Sequence, residues 1–309
     1  MYCWLLDQAT WRFSVIVHAW MRRPLQLTWH LHKDTLMSNY LHIAGSPRTG
    51  IVVLGDDGTV RSLGQAEPAS AWQTSPKFDG FVSGEAAFSC LLGGGAGYTT
   101  VAHGTAIRVL ATLGQAQARW KDIAPLPADT SMACLAGDHQ DGYLLLAADG
   151  HGLYRLGRGA DNTGGWSQWE PCATPPLPGK ATLIAGDWQH GMLVVGNGAV
   201  AKLARSGASD TWTALPVPPL AIEMVTGNFH AGFIAYGEGQ LCMLDTGAQP
   251  KWRLLPTPEF DLRCLSGNPA HGLAAVLADS SGDGALVVYT LRPDNGPWSL
   301  ALAPQATRR

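Results

Sequence analysis

The sequence predicts an all-β propeller, because one unit of about 45 residues recurs along the chain. Each unit opens with a glycine-bounded turn, and a tryptophan follows roughly 25–32 residues after the first glycine. The turns lie at 45–50, 93–97, 137–142, 186–191, 227–232 and 267–272, and the tryptophans are Trp72, Trp120, Trp169, Trp212, Trp252 and Trp298. Units of this length bury their apolar faces only by stacking on their neighbours.

Residues 221–258 show how one unit divides into four strands. AIEMVT precedes the GNFHAG turn, FIAY follows it, GEGQ forms a tight hairpin into LCML, and KWRLL ends the unit. Short strands joined by glycine turns are typical of a propeller blade. The corresponding second hairpins lie at 55–59, 102–105, 148–152, 196–199 and 281–285. This pattern leaves essentially no room for helix outside residues 1–24.

Polar residues in the first turns predict local hydrogen bonding rather than a metal site. The Asp or Asn after the first glycine favours an Asx turn, and these residues are Asp138, Asp187, Asn228 and Asn268. The turns also carry His139, His190, His230 and His271. Because these histidines belong to different blades, they lie too far apart to share one tetrahedral ion. We expect no metal and no cofactor.

Each tryptophan precedes a proline-rich link, as in WKDIAPLP and WTALPVPP. Such a link cannot continue a helix, and it carries the chain to the inner strand of the next blade. We expect the tryptophans to pack between neighbouring outer strands.

The start of the chain leaves the number of blades open. Trp29 precedes Gly45 by the spacing that later tryptophans show, so residues 25–31 predict the outer strand of an earlier blade. We therefore expect a propeller over 25–309 with six complete blades and a partial seventh, and an irregular segment or partial blade over 1–24. The alternative is a six-bladed ring to which the first 24 residues are an appendage.

Counting back from the first glycine of each turn aligns the inner strands. The residue two before the glycine is always aliphatic. The residue three before it is a cysteine in three units, Cys90, Cys134 and Cys264, so these cysteines share one repeated core position. Spread around a ring, they cannot pair as disulfides. The six cysteines of the chain predict free thiols that pack as small apolar groups.

Two further rows predict the lining of a central channel. The residues four and six before the glycine are small or polar, and alternation places both rows on one strand face. The polar members, which we take as candidate ligand-binding residues, are Asn39, Lys180, Glu223, Asp261 and Arg263. We expect Glu223 and Arg263 to interact across adjacent blades. A structural ion-pair cluster that plugs the channel and a ligand site both remain open.

Two segments resemble known propeller repeats. RSGASDTWTALP at 205–216 and RPDNGPW at 292–298 resemble the Asp-box of sialidase-like propellers, and the tryptophan–proline spacing resembles Kelch repeats without their double glycine. The resemblance implies a fold rather than an activity. Sialidases clamp a substrate carboxylate with three arginines, whereas only Arg263 falls on the predicted channel lining. We therefore do not expect sialidase activity.

Composition limits the classes of partner. A net charge of −3 provides no basic surface for nucleic acid or anionic membrane. No apolar run approaches the length of a membrane-spanning helix. Asp7 and Arg12 interrupt the apolar start of the chain, which makes it a poor signal peptide. We expect a cytoplasmic monomer.

The functional prediction is a non-catalytic binding or scaffold propeller. The fold offers a rigid face built by the proline links and second hairpins, where a protein or a glycan could be recognised, and we identify no nucleophile–base pair in the sequence. The alternative is a carbohydrate-active enzyme, a hydrolase or lyase. It would use Glu223 and Asp261 as the two carboxyl groups, about 5–10 Å apart, that glycoside cleavage requires.

Overall fold

The computed structural model describes residues 40–64, 72–82, 88–94, 97–111, 118–158, 165–206, 209–255, 261–277, 288–291 and 299–301. These residues belong to one compact unit, Ser38–Gln305. The segment 1–24, the predicted orphan strand at 25–31 and Asn39 lie outside the described residues.

In the described part of the chain, the regular structure is entirely β and forms six antiparallel sheets of four strands. The first sheet contains β1 (Tyr40–Ser46), β2 (Gly50–Gly55), β3 (Val60–Leu63) and β4 (Gln73–Thr74). The second contains β5 (Ser89–Gly93), β6 (Thr99–His103), β7 (Ala106–Leu110) and β8 (Lys121–Asp122). The third contains β9 (Met132–Asp138), β10 (Gly142–Ala147), β11 (Leu153–Leu156) and β12 (Glu170–Pro171).

The fourth sheet contains β13 (Leu183–Asp187), β14 (Gly191–Gly196), β15 (Ala199–Ser206) and β16 (Ser209–Ala214). The fifth contains β17 (Met224–Asn228), β18 (Gly232–Gly237), β19 (Gln240–Asp245) and β20 (Lys251–Leu255). The sixth contains β21 (Leu262–Asn268), β22 (Gly272–Leu277), β23 (Val288–Leu291) and β24 (Ser299–Ala301). Within each sheet the strands lie side by side in chain order. The prediction of an all-β propeller is confirmed.

The first turns adopt the conformation that their residues predict. Gly227 has a φ of +116°, and a Cβ at this position would collide with the carbonyl oxygen of Gly232. In the same turn, Asn228 Oδ1 accepts hydrogen bonds from the backbone N–H groups of His230 and Ala231, at 3.1 and 2.8 Å. The other three predicted Asx turns form as well, at Asp138, Asp187 and Asn268.

The apolar core lies between the sheets. The second strands β10, β14 and β18 are buried along their whole length because neighbouring sheets cover both of their faces. This explains why their sequences are continuous apolar runs rather than alternating ones.

The repeated tryptophans close the outer edge of each interface. The indole Nε1 of Trp120 donates to the carbonyl of Pro76 at 2.9 Å, and that of Trp252 donates to the carbonyl of Pro216 at the same distance. Trp169 makes a longer bond of this kind, 3.4 Å, to Ala124. Each tryptophan therefore contacts the link that leads into its own sheet, as well as the core of the preceding interface.

The first and sixth sheets are direct neighbours. The inner strands contact one another in the order β1, β5, β9, β13, β17 and β21, and β21 contacts β1 in turn. Ser266 Oγ donates to the carbonyl of Gly45 at 2.9 Å. Trp72 packs against a core cluster to which the sixth sheet contributes Ala274 and Val276. Trp120, Trp169, Trp212 and Trp252 have the same role between consecutive sheets.

Among the residues that the structure describes, no helix is long and apolar enough to cross a membrane.

Candidate functional site

The six inner strands surround a cavity of about 360 Å³ along the centre of the ring. On the inner strands, the wall is formed mainly by the residues that run from three positions before the turn glycine to one position after that glycine. The predicted lining was instead the residues four and six positions before the glycine. The predicted lining is therefore displaced along the strands. The reason is that both faces of an inner strand pack against neighbouring sheets, so the edge of the strand, and not one face, borders the channel.

Side chains in the channel wall join each inner strand to the next. The thiols of Cys90 and Cys134 lie against the carbonyl oxygens of Leu135 and Ile184, with Sγ–O distances of 3.8 and 3.6 Å. Burial raises the pKa of both thiols, which keeps them protonated and able to donate. Thr226 Oγ1 likewise donates to Gly267 of the following sheet at 2.9 Å. The cysteines are thus more than the apolar filler that the sequence predicts.

One contact in this wall has a different chemistry. His42 Nε2 of the first sheet lies 2.7 Å from Ser89 Oγ of the second, and His42 borders the cavity. Burial is the main cause that lowers the pKa of His42 to about 4, and the positive charge of Arg263 adds to it. The imidazole is therefore neutral at pH 7. The alignment of inner strands contains both residues, but in different rows, so it gave no signal that they meet.

The predicted ligand-binding residues within the described chain are all exposed at one end of the ring. They are Lys180, Glu223, Asp261 and Arg263. Their ligand binding remains a prediction.

The predicted contact between Glu223 and Arg263 is not seen as an ion pair in the described residues. Instead, Glu223 Oε1 accepts a hydrogen bond from the backbone N–H of Glu238 at 3.3 Å, within its own sheet. Glu223 and Arg263 are both exposed, so the two side chains do not form a buried pair.

We call this end of the ring the link face. It consists of the second hairpins at 55–59, 103–105, 147–152, 196–199 and 237–240 and the links at 75–82, 123–131, 172–182 and 215–223. Backbone hydrogen bonds join the two sets: Phe78 N–H donates to Gly58 at 3.0 Å and Ala181 N–H to Gly150 at 2.9 Å. These bonds fix the links as a rigid surface despite their lack of regular structure.

The link face carries exposed apolar side chains and a groove. Val217, in the link between the fourth and fifth sheets, is 74% exposed. Leu254 is 58% exposed; it lies on β20 beside the 237–240 hairpin, and we count it with the link face. A groove of about 460 Å³ lies between the second hairpin of the second sheet and the next link, where Pro125, Leu126 and Pro127 line it with Thr105.

The opposite end, which we call the turn face, consists of the first turns. A cleft of about 520 Å³ opens there between the fourth and fifth sheets. Within it, the rings of His190 and His230 stack with centroids 5.0 Å apart, so the expectation that turn histidines of different blades lie far apart is wrong for this pair. Lys202 Nζ lies 4.2 Å from the centre of the Phe229 ring. Asp187 Oδ1 holds His190 Nδ1 at 2.8 Å. In the described chain, no cluster of three or more His, Cys, Asp or Glu side chains is arranged to hold a metal ion.

Comparison with known proteins identifies the fold only. No family model matches the chain, and no curated protein matches it. Among solved structures, a streptogramin B lyase superposes with a TM-score of 0.54 at 14% identity, over 87% of this chain and 84% of that one. YCF48 from Cyanidioschyzon merolae gives 0.52 at 14% identity, over 84% of each chain.

The β-propeller domain of Cps50 (Swd1) from Myceliophteria thermophila gives a TM-score of 0.50 at 12% identity, over 82% of this chain and 84% of that one. One of these proteins is an enzyme by its name, so the shared fold favours neither binding nor catalysis.

Proposed function

We propose that this chain is a six-bladed binding propeller that recognises a protein or a glycan on its link face. The observation that supports this most is the exposure of Val217 and Leu254, two aliphatic side chains on an otherwise rigid surface. Single exposed aliphatic residues are common, whereas apolar side chains grouped on one face are typical of a contact site.

Packing places these two side chains on the same side of the fifth sheet. Trp252 and Leu254 are two residues apart on β20, so they share a strand face. Trp252 faces the core between the fourth and fifth sheets and bonds to Pro216, the residue before Val217. Val217 and Leu254 thus flank one tryptophan-supported link. Aliphatic carbon favours a protein partner over a glycan, because sugar rings stack on aromatic faces.

The test is a comparison of matched surface variants. Val217→Asp with Leu254→Asp places two charges on the link face, while Ala270→Asp with Gln140→Asp places two charges at exposed positions of the turn face. Affinity capture and a glycan array identify what the unaltered chain binds. We expect the link-face variant to bind that ligand at least about tenfold more weakly, and the turn-face variant to bind it unchanged. The reverse pattern would reject the proposal.

The same purified protein can be used to test the alternative function, a carbohydrate-active enzyme that uses Glu223 and Asp261. Both carboxylates lie at the link-face end of adjacent sheets. A panel of chromogenic glycosides detects turnover. Two results together would replace the binding proposal with the enzyme. They are turnover that is lost in Glu223→Gln, and a ligand affinity that Val217→Asp leaves unchanged.

A further inference from the structure

We propose that Ser89 and His42 form a nucleophile–base pair in the channel wall, which accepts the acyl group of a small ester. This activity is separate from the recognition on the link face, since it uses neither Val217 nor Leu254. It also replaces the expectation that the chain holds no nucleophile–base pair.

The geometry is that of an activated serine. A serine becomes nucleophilic when a base lies within hydrogen-bonding distance of its hydroxyl, about 2.6–3.2 Å. Ser89 Oγ and His42 Nε2 are 2.7 Å apart. The two residues lie on the inner strands of different sheets. In each case the neighbouring strand of the same sheet fixes the backbone, since His42 pairs with Leu54 and Ser89 pairs with His103. The pair is therefore positioned by the ring itself.

The base borders a cavity of suitable size, and the serine is bonded to that base. His42 and Cys90, the residue after Ser89, both border the central cavity of about 360 Å³. A cavity of this volume is at the small end of ligand sites, which limits the substrate to a small molecule. Ser89 itself is only partly buried, so its hydroxyl is not sealed within the core.

The base is in the required protonation state. Burial, aided by the Arg263 charge, lowers the pKa of His42 to about 4, so Nε2 is unprotonated at neutral pH when Nδ1 carries the ring proton. The other titratable groups that line the cavity are His271 and the thiols of Cys90, Cys134 and Cys264. Burial raises the pKa of the three thiols, which leaves them uncharged. Arg263 is thus the charged group that acts on His42.

The charge of Arg263 acts on the base rather than on a substrate. Its guanidinium is exposed at the link-face end, and its positive charge disfavours the imidazolium that His42 forms on accepting the serine proton.

The reaction balances with water as the second reactant. Ser89 Oγ forms a bond to the ester carbonyl carbon while its proton passes to His42 Nε2. The bond from that carbon to the alkoxy oxygen then breaks, and the leaving alcohol takes the proton from His42. Water attacks the acyl group on Ser89 and gives its proton to His42, which returns it to Ser89 Oγ as the carboxylic acid leaves. No oxidant, reductant or metal is consumed.

The test uses a fluorophosphonate, which forms a Ser Oγ–phosphorus bond with loss of fluoride, on the full chain. Peptide mass spectrometry identifies the modified residue, and we expect Ser89. Ser89→Ala removes the adduct, and His42→Gln slows its formation by at least about 100-fold. Ser167→Ala is the control, because Ser167 does not border the cavity and its hydroxyl donates to the Gln168 carbonyl instead of to a histidine. This variant keeps the wild-type rate.

The pH profile distinguishes a catalytic base from a structural hydrogen bond. Because the pKa of His42 lies near 4, we expect the labelling rate to stay level from about pH 8 to pH 5.5 and to fall as pH approaches 4. The site of the adduct in the unaltered chain needs no variant and is independent of folding defects. A chain in which Ser89 remains unmodified, or a His42→Gln chain that melts like the wild type and labels at the wild-type rate, would overturn the proposal.

Discussion

At the scale of single residues, the channel wall is held by side-chain donors that reach the next sheet. Cys90, Cys134, Thr226 and Ser266 all contact a backbone carbonyl of the following inner strand. Each hydroxyl bond contributes about 1 kcal/mol, and the thiols, which are weak donors, contribute less. The repetition explains why thiols and hydroxyls recur at fixed distances before the turn glycine.

The sequence predicts these positions as a repeat but not their partners. Alignment of the inner strands places the three cysteines in one row, which the structure confirms. It cannot show how neighbouring sheets are staggered along the channel, and the stagger decides which side chains meet. For this reason the alignment paired Glu223 with Arg263 at one level and missed the contact between His42 and Ser89.

The exposure of Glu223 and Arg263 predicts a small energetic coupling. We expect Glu223→Gln and Arg263→Gln each to change the free energy of unfolding by about 1 kcal/mol or less, and the double variant to show the sum of the two effects. Chemical denaturation of the four proteins in low salt measures the coupling. A coupling well above about 1 kcal/mol would show that the two side chains form a buried pair.

At the scale of elements, the first turns of the third to sixth sheets are the features that sequence predicts best. Glycines at both ends and an Asx residue after the first one specify backbone geometry locally, without help from tertiary contacts. The outer strands are the opposite case. β4, β8 and β12 contain two residues each, which is too short for a hydrophobic period to define them. In the sequence, only the tryptophan that recurs in each repeat marks where these strands lie.

Two glycines test how strictly the turns are specified. Gly227 and Gly239 both have positive φ, +116° and +72°. A Cβ on Gly239 meets nothing within 4 Å, whereas a Cβ on Gly227 collides with the Gly232 carbonyl. We expect Gly239→Ala to cost about 1–2 kcal/mol of stability from backbone strain alone, and Gly227→Ala to cost clearly more. Thermal melts measure both, and equal losses would contradict the steric account.

At the scale of the whole molecule, the repeat predicts the propeller but leaves its closure open. Residues 25–31 carry the spacing of an outer strand, which favoured a partial seventh blade. The contacts of β21 with β1 and the position of Trp72 support a ring that six sheets complete. Sequence could not decide this, because closure depends on a contact between residues more than 200 positions apart.

The most direct test of this closure is a double-mutant cycle between the first and sixth sheets. Val53 and Val276 are fully buried in one core cluster, while Val194 is fully buried in another, between the third and fourth sheets. Valine-to-alanine changes at 53 and 276 share their core, so we expect a coupling energy of about 0.5 kcal/mol or more from denaturation curves. The control pair, 194 with 276, is expected to be additive. If 53 and 276 are as additive as the control, another blade separates the first and sixth sheets and the six-bladed ring is wrong.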